Sequence, residues 1–412
     1  MYKKVLLTKK KQMSGENPSN IIRSWNLQTG FSTGAVVSDK LTPPQYGRIR
    51  TPFVTTWREE QLSSNLDWGS SQFSVYLPES LKVIASIYLR VNLPALGAGQ
   101  TYKDYCGLYV MRRLRIMSAG TEVYSCDVGR HLADYCQSLS DEQLREFSGI
   151  YLGHEATATN VARTVLIPIL LPNSAYGSRG GHDTRGRGVF PAFLGQNRLE
   201  LQISLNNATF VAATAANVPG SIAGQCSLMY HEVKTTDVNQ NLYSDLRGAY
   251  SVITRRFTEL TAGWQTYASA NAVVRHTTSQ PQGVVTEVQI IAVAEDGDEH
   301  RYSKNDIIAA TSFKVIADSI VQRDLDSPFK IKIENWTNGF VPPTDFPSPT
   351  RMCFAAHAAE SDHVYSGGYN MTLASQIQFE FAFASPCRFK IFAVQLQRVK
   401  IDSLGIMRAY LD

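Results

Sequence analysis

Charged residues are scarce in this sequence. Asp, Glu, Lys and Arg make up 18% of the 412 residues, below the roughly 25% of an average soluble protein. The net charge is only +4, which excludes a chain that coats nucleic acid along its length, since that binding needs many cations. A surface with few charges is typical of a protein that neighbouring subunits cover.

Long apolar runs are also absent. No stretch approaches the roughly 20 consecutive apolar residues that a transmembrane helix needs. The sequence begins MYKKVLLTKKKQMSG, and the apolar part of this basic segment is only VLL. We therefore expect neither a membrane span nor a signal peptide.

Cysteine occurs without the spacings that metal sites or redox motifs require. No pair is spaced C-x-x-C, and no cysteine has a histidine nearby at ligand spacing. Free cysteine usually behaves as a small buried hydrophobe. We expect free, mostly buried thiols in a protein assembled in a reducing cytoplasm, namely Cys106, Cys126, Cys136, Cys226, Cys353 and Cys387.

Catalytic and metal-binding motifs are missing as well. The eight histidines are scattered singly, and neither HEA at His154 nor HEV at His231 extends to the HExxH metal motif. The acidic stretch Glu295–His300 lacks the spacing of a calcium loop, and no nucleophile elbow or phosphate loop is present. We expect no catalysis, no cofactor, no metal and no small-molecule substrate.

What the sequence does contain is alternation of apolar and polar residues. In NRLELQISLNNATF, four apolar residues occupy every second position from Leu199 to Leu205. About 180 residues later, SQIQFEFAF repeats this pattern from Ile377 to Phe383. Alternation predicts half-buried strands. We expect Phe379 and Phe381 to point into a core, and Glu380 to tolerate alanine.

Similar strands recur in both halves of the chain. The first half contains QFSVYLP, KVIASIYLRVNLP, LYVMRRLRIM, TEVYSCD, TVLIPILLP and CSLMYHEV. The second contains YSVITRRFTEL, VVTEVQIIAVA, TSFKVIADSIV, KIKIENW, RMCFAAHA and CRFKIFAVQLQRV. Gly120 suits a tight hairpin turn. One helical insertion lies at HLADYCQSLSDEQLREF, where Ser140 and Gln143 form a capping box.

Each half therefore holds about eight strands, which predicts an all-β protein of two eight-stranded antiparallel jelly rolls with short helices in loops. We assign residues 1–70 to an irregular amino-terminal arm, 71–235 to the first jelly roll, 236–248 to a linker and 249–412 to the second jelly roll.

The order of these segments resembles the double jelly-roll major capsid proteins of icosahedral viruses, the lineage of tectivirus-like phages and adenoviruses. TVLIPILLPNSAYG followed by VFPAFLGQNRLELQISLNNATF is similar to that family's pairing of two strands, with Pro191–Leu194 as its small apolar segment. YLPESLKVIASIYLRVNLPAL resembles its first two strands. RIRTPFVTTWREEQ does not match the His-rich segment of large eukaryotic DNA viruses, which favours a phage or a small virus.

The resemblance implies a structural protein of the virion, a pseudo-hexagonal homotrimer that tiles an icosahedral shell and is assembled in the host cytoplasm or nucleus. Its partners would be neighbouring capsomers and minor or penton capsid proteins. The alternative is a carbohydrate-binding or carbohydrate-active β-sandwich. Such proteins set carboxylate pairs or tryptophans on one face, whereas the five tryptophans here are dispersed.

Two basic segments are candidate contact sites. The arm carries five lysines without an acid, which could face an internal membrane or packaged nucleic acid, or could form a solubilising tail. They are Lys3, Lys4, Lys9, Lys10 and Lys11. The loop GSRGGHDTRGRG carries Arg179, Arg185 and Arg187. These arginines are candidates for pairing with carboxylates of a neighbouring subunit, and a flexible surface loop is the alternative.

Overall fold

Antiparallel strands dominate both halves of the chain in the computed structural model. It describes residues 53–62, 66–69, 72–78, 83–137, 139–153, 160–171, 190–191, 193–194, 197–213, 219–235, 251–278, 281, 283–294, 307–337, 349–357, 365–401 and 406–411.

The first half forms two facing sheets. Its described strands are β1 (Phe53–Gln61), β2 (Phe73–Tyr76), β3 (Val83–Leu93), β4 (Met111–Ser118), β5 (Thr121–Asp127), β6 (Arg163–Pro168), β7 (Phe190–Pro191), β8 (Phe193–Leu194), β9 (Asn197–Leu205) and β10 (Cys226–Thr235). One sheet has the order β1-β10-β3-β6 and the other β2-β9-β4-β5. The short strands β7 and β8 pair with β3 and β9.

The second half repeats this arrangement. Its described strands are β11 (Ser251–Glu259), β12 (Gln265–Tyr267), β13 (Val274–Thr278), β14 (Val284–Ala294), β15 (Ala310–Ala317), β16 (Ile320–Leu325), β17 (Thr350–Cys353), β18 (Ala355–His357), β19 (Tyr365–Gly367), β20 (Tyr369–Asn370), β21 (Ile377–Phe383), β22 (Cys387–Ile401) and β23 (Met407–Leu411). The sheets have the orders β11-β22-β14-β17 and β13-β21-β15-β16.

The four principal strands of each sheet correspond between the two halves. The order β1-β10-β3-β6 becomes β11-β22-β14-β17, and β2-β9-β4-β5 becomes β13-β21-β15-β16. Sequence spacing agrees, because β15 begins and ends 199 residues after β4, and β16 begins 199 residues after β5. Two facing sheets joined in this non-sequential order form a jelly roll. The predicted fold class of two antiparallel jelly rolls is confirmed.

The alternating strands behave as expected. Leu201 and Ile203 of β9, like Phe379 and Phe381 of β21, are buried between the two sheets of their jelly roll. Phe381 packs edge-on against Phe389 of β22, with ring centroids 4.8 Å apart. Burying such rings removes apolar surface from water at roughly 25 cal/mol per Å², so each core stabilises its own jelly roll.

Matched hairpin turns join β4 to β5 and β15 to β16. Ala119 and Gly120 have φ of 47° and 75°, and Asp318 and Ser319 have φ of 49° and 68°. Two residues at positive φ twist a two-residue hairpin in the sense of its strands. In the second hairpin the Asp318 carboxylate accepts hydrogen bonds from the backbone N–H groups of Ser375 and Gln376, which helps to hold this glycine-free turn.

Four α-helices occur in the described residues: α1 (Gly107–Val110), α2 (Val128–Cys136), α3 (Asp141–Phe147) and α4 (Pro328–Thr337). The predicted capping box is present, with Ser140 and Gln143 bonded reciprocally at the start of α3. None of these helices is long and apolar enough to cross a bilayer. All six cysteines are buried and free of disulfides, as expected.

Two sequence assignments were wrong. KIKIENW was predicted as a strand and lies in α4, since Pro328 favours the first helical turn and Ser327 Oγ accepts from the Lys330 N–H at 3.4 Å. The arm assigned to residues 1–70 contains β1, whose nine residues pair with β10 as the edge of a sheet. Its polar sequence, with Thr, Arg and Glu, is typical of an exposed edge strand. The linker at 236–248 lies outside the described residues.

Candidate assembly surfaces

Helix α2 lies between the two jelly rolls and is buried along its whole length. The Asp127 carboxylate begins the helix by accepting from the Arg130 N–H at 2.9 Å, as an N-cap residue does. Leu132 and Cys136 belong to the first hydrophobic core. Arg130, Asp134 and Gln137, by contrast, are polar and reach toward the second jelly roll.

A buried ionic cluster joins α2 to the outward face of the β11-β22-β14-β17 sheet. Asp134 accepts from Arg255 at 2.6 Å and from Arg351 at 2.8 Å. Glu287 pairs with the same two arginines at 3.3 and 3.1 Å. Every side chain in this cluster is at least nine-tenths buried; Gln137 and Gln289 add hydrogen bonds to Arg351 and Glu287.

The chemistry of the ionic cluster fixes how the two jelly rolls meet. Moving charges out of water is expensive, and each buried charge needs its partners in good geometry. Removing one partner of a buried pair typically costs about 3–5 kcal/mol. Because Asp134 comes from one jelly roll and Arg255, Glu287 and Arg351 come from the other, a shift between them would leave charges uncompensated.

His131 and Phe257 form the aromatic border of the ionic cluster. The His131 ring meets the Phe257 ring edge-on at 4.5 Å, and the Arg130 guanidinium lies 5.2 Å from the Phe257 centroid. Burial lowers the pKa of His131 to about 3, although the nearby Asp134 carboxylate favours the charged form. His131 is therefore neutral at physiological pH.

A second set of contacts extends the junction. The Met407 N–H donates to Ser118 Oγ at 3.1 Å, and Gln397 Nε2 donates to the Val123 carbonyl at 3.3 Å. Val399 and Met407 pack in the hydrophobic core of the first jelly roll although they belong to β22 and β23. Side chains of the second half thus complete the core of the first.

Helix α4 exposes an apolar stripe. Phe329, Ile333 and Trp336 are 71%, 47% and 73% exposed, and their spacing of four and three residues places them on one side of the helix. Ile331 is buried and anchors the opposite side, where Glu334 accepts from Arg323 at 2.7 Å. Contiguous exposed apolar groups of this kind mark interaction surfaces.

Trp57 is an exposed aromatic residue on a sheet surface of the first jelly roll, the outward face of the β1-β10-β3-β6 sheet. It is 56% exposed. Its ring stacks on His231 with centroids 4.4 Å apart and lies 5.9 Å from Tyr88. Tyr88 itself is covered by Tyr151, stacked at 5.5 Å, so Trp57 is the exposed ring of this aromatic group.

The residues predicted as contact sites are not among those described. Lys3, Lys4, Lys9, Lys10 and Lys11 precede the first described residue, and Arg179, Arg185 and Arg187 fall in the gap between residues 171 and 190. Their roles stay predictions.

Neither the ionic cluster nor the stripe on α4 was predicted from the sequence. The constant spacing of 199 residues between the equivalent hairpins could have identified α4 as the counterpart of α2, whereas no signal in the sequence points to the ionic cluster. The described residues also contain no group of three His, Cys, Asp or Glu side chains placed to hold a metal ion.

The sequence matches no protein-family model and no curated protein, but solved structures share its fold. A quasi-atomic model of the PBCV-1 virus capsid superposes with a TM-score of 0.61 at 11% identity, covering 88% of this chain and 97% of the other. The Faustovirus major capsid protein gives 0.59 at 10% identity, with coverage of 87% and 92%. The mavirus major capsid protein gives 0.56 at 12% identity, with coverage of 90% and 94%.

At these identities the likeness concerns the fold. It confirms that this chain has the double jelly roll of viral major capsid proteins, as the resemblance in sequence implied. The segment RIRTPFVTTWREEQ contributes β1, and the type of virus stays a prediction.

Proposed function

We propose that this protein is the major capsid protein of an icosahedral virus, a structural subunit of the virion without catalytic activity. The observation that carries the proposal is the side-by-side packing of two equivalent jelly rolls through non-equivalent faces. The helix side of the first, α2, lies on the sheet side of the second. The fold that the chain shares with solved capsid proteins supports the same conclusion.

This packing favours a ring. A contact between two different faces leaves one face of each kind unused, here α4 on the second jelly roll and the outward sheet face on the first. Head-to-tail contacts of this type close into rings when the rotation allows it. Three chains of two lobes each would give six similar lobes, so the proposed unit is a pseudo-hexagonal homotrimer.

In the proposed shell, the trimers tile against neighbouring capsomers and against minor or penton capsid proteins. Assembly takes place in the host cytoplasm or nucleus. The five lysines of the arm would face packaged nucleic acid or the headgroups of an internal membrane, and both contacts would weaken with salt. Deleting residues 1–11 should preserve the trimer and reduce binding to DNA or to anionic vesicles. Unchanged binding to both would mean that the arm is only a solubilising tail.

Native mass spectrometry together with negative-stain imaging of the purified protein tests the capsid proposal. We expect three chains per particle and pseudo-hexagonal outlines. Interfaces of an obligate trimer should bury more than about 2,000 Å², so the trimer should persist on dilution. A monomer that binds oligosaccharides would instead support the carbohydrate-binding β-sandwich, and would overturn the capsid proposal.

A further inference from the structure

We propose that α4 of one copy docks on the outward face of the first jelly roll of a second copy, with Phe329 against Trp57. This inference rests on the proposed trimer and identifies the surfaces that close it. The internal contact between α2 and the second jelly roll provides the template, since each of its parts has an equivalent elsewhere in the chain.

The residues of α4 correspond one by one to those of α2, the helix of the internal contact. The spacing of 199 residues that relates β4 to β15 and β5 to β16 continues into the helices. It places Arg130, Asp134 and Gln137 in correspondence with Phe329, Ile333 and Trp336. The three positions that reach across to the second jelly roll in α2 are therefore the three exposed apolar positions of α4. The buried anchor is kept, because Leu132 corresponds to Ile331.

The sheet side is matched by strand register. Both central strand pairs contain a bulge, and the first residue pairs beyond it are His231 with Ser86 and Val394 with Glu287. On the neighbouring strand, His231 pairs with Trp57 and Val394 pairs with Phe257. Trp57 is therefore the equivalent of Phe257, the ring that receives Arg130 and His131 in the internal contact.

The same register shows that equivalent positions differ in charge on both sides of the contact. Glu287 corresponds to Ser86, and Arg255, two residues before Phe257, corresponds to Thr55, two residues before Trp57. The charged positions of α2 thus face a charged sheet, whereas the sheet positions that correspond to Arg255 and Glu287 are the uncharged Thr55 and Ser86. The ion pair between Glu59 and Arg90 stays on the same face, beginning two residues beyond Trp57. The uncharged positions beside Trp57 therefore suit the apolar stripe on α4.

This complementarity also selects the partner. An apolar stripe placed over Arg255, Glu287 and Arg351 would strip water from their charges without replacing it, a cost that disfavours the wrong pairing. Within one chain that charged face is already covered by α2. The occupant of the Trp57 face is therefore α4 of another copy. When every chain makes this contact, first and second jelly rolls alternate around the ring.

The test uses charge placed on each side of the contact. Phe329→Glu and Trp57→Glu should each convert the three-chain particle to single chains in native mass spectrometry. Both side chains are exposed, so the fold should be retained, as circular dichroism and the melting temperature would verify. Leu373→Glu is the matched control, because Leu373 is 82% exposed and belongs to the turn Met371–Leu373, which is part of neither α4 nor β1; it should keep three chains.

Mixing the two variants sharpens the test. The Phe329→Glu chain keeps an intact Trp57 face and the Trp57→Glu chain keeps an intact α4, so an equimolar mixture should form pairs of one chain each. A mixture that stays monomeric, or a Phe329→Glu variant that remains a trimer, would overturn the docking surfaces while leaving the trimer standing. A wild-type protein that is itself monomeric would instead overturn the proposed function.

Discussion

Helices α2 and α4 follow equivalent hairpins, yet they differ in both chemistry and exposure. Helix α2 is wholly buried and presents Arg130 and Asp134 to an ionic cluster, whereas α4 presents Phe329 and Trp336 to solvent. A single chain can therefore hold two versions of one contact. The version within the chain uses charges that fix orientation, and the version that we propose for a partner uses apolar surface that association can bury.

Of the substitutions that test the difference between α2 and α4, the largest loss of stability is expected at Asp134. Asp134→Ala would leave Arg255 and Arg351 with uncompensated charge, at a cost of about 3–5 kcal/mol in the free energy of unfolding. Ile333→Ala, at the equivalent position of α4, should change the stability of the chain by less than about 0.5 kcal/mol. Urea denaturation of both variants measures the difference; equal effects would contradict the assignment of the cluster as the junction.

The hydrophobic cores of the two jelly rolls can be compared at equivalent positions. Ile203 and Phe381 occupy equivalent strands, paired with Leu114 and Phe313 respectively. Phe381→Ala should cost about 3–5 kcal/mol and Ile203→Ala about 2–5 kcal/mol, because each leaves a cavity. Soluble yield and denaturation midpoints check both; tolerance of either change would weaken the equivalence of the two jelly rolls.

Acid should lower the stability of the contact made by α2, which contains His131, and should have no such effect through the equivalent residue of α4. The pKa of His131 is about 3 in the folded chain, against 6.5 for the free side chain, so the unfolded chain binds the extra proton between these values. Stability contributed by neutral His131 is thus complete above pH 6.5 and falls by roughly 1.4 kcal/mol per pH unit on acidification toward pH 3.

At pH 5 the loss from His131 should reach about 2 kcal/mol. His131→Gln should reduce the drop in unfolding free energy between pH 7 and pH 5, measured by denaturation at each pH. Lys330, the equivalent residue of α4, serves as control, and Lys330→Gln should leave that drop unchanged. An identical pH dependence in wild type and His131→Gln would exclude this source of acid sensitivity.

The smallest effect is expected at Glu380. Its carboxylate pairs with Arg275 at 2.8 Å and Lys314 at 3.2 Å, and the hydrogen bond from Arg275 is the main cause of its lowered pKa. Because these pairs lie at the surface, Glu380→Ala should cost less than about 1 kcal/mol. Gln202→Ala, at the equivalent position of β9, provides the matched comparison in thermal melting, and a loss as large as that of Phe381→Ala would refute the strand's orientation.

Prediction from the sequence succeeded where a single periodicity decides the structure. Alternation located β9 and β21 and their buried residues, and repetition of the pattern gave two jelly rolls. It failed where tertiary contacts decide. KIKIENW alternates like a strand, but Pro328 and Ser327 begin a helix there. Arg255, Glu287 and Arg351 lie far apart in sequence on three strands, and no local pattern indicates that Asp134 brings them together.

The ionic cluster has a mechanical consequence. Because Asp134 holds arginines from two strands of the opposite jelly roll, the two lobes of a chain meet at one fixed angle. In the proposed shell, any curvature would then be taken up at the contacts between chains. Because the angle within each chain would stay constant, shells of different size would have to differ in the contacts between chains.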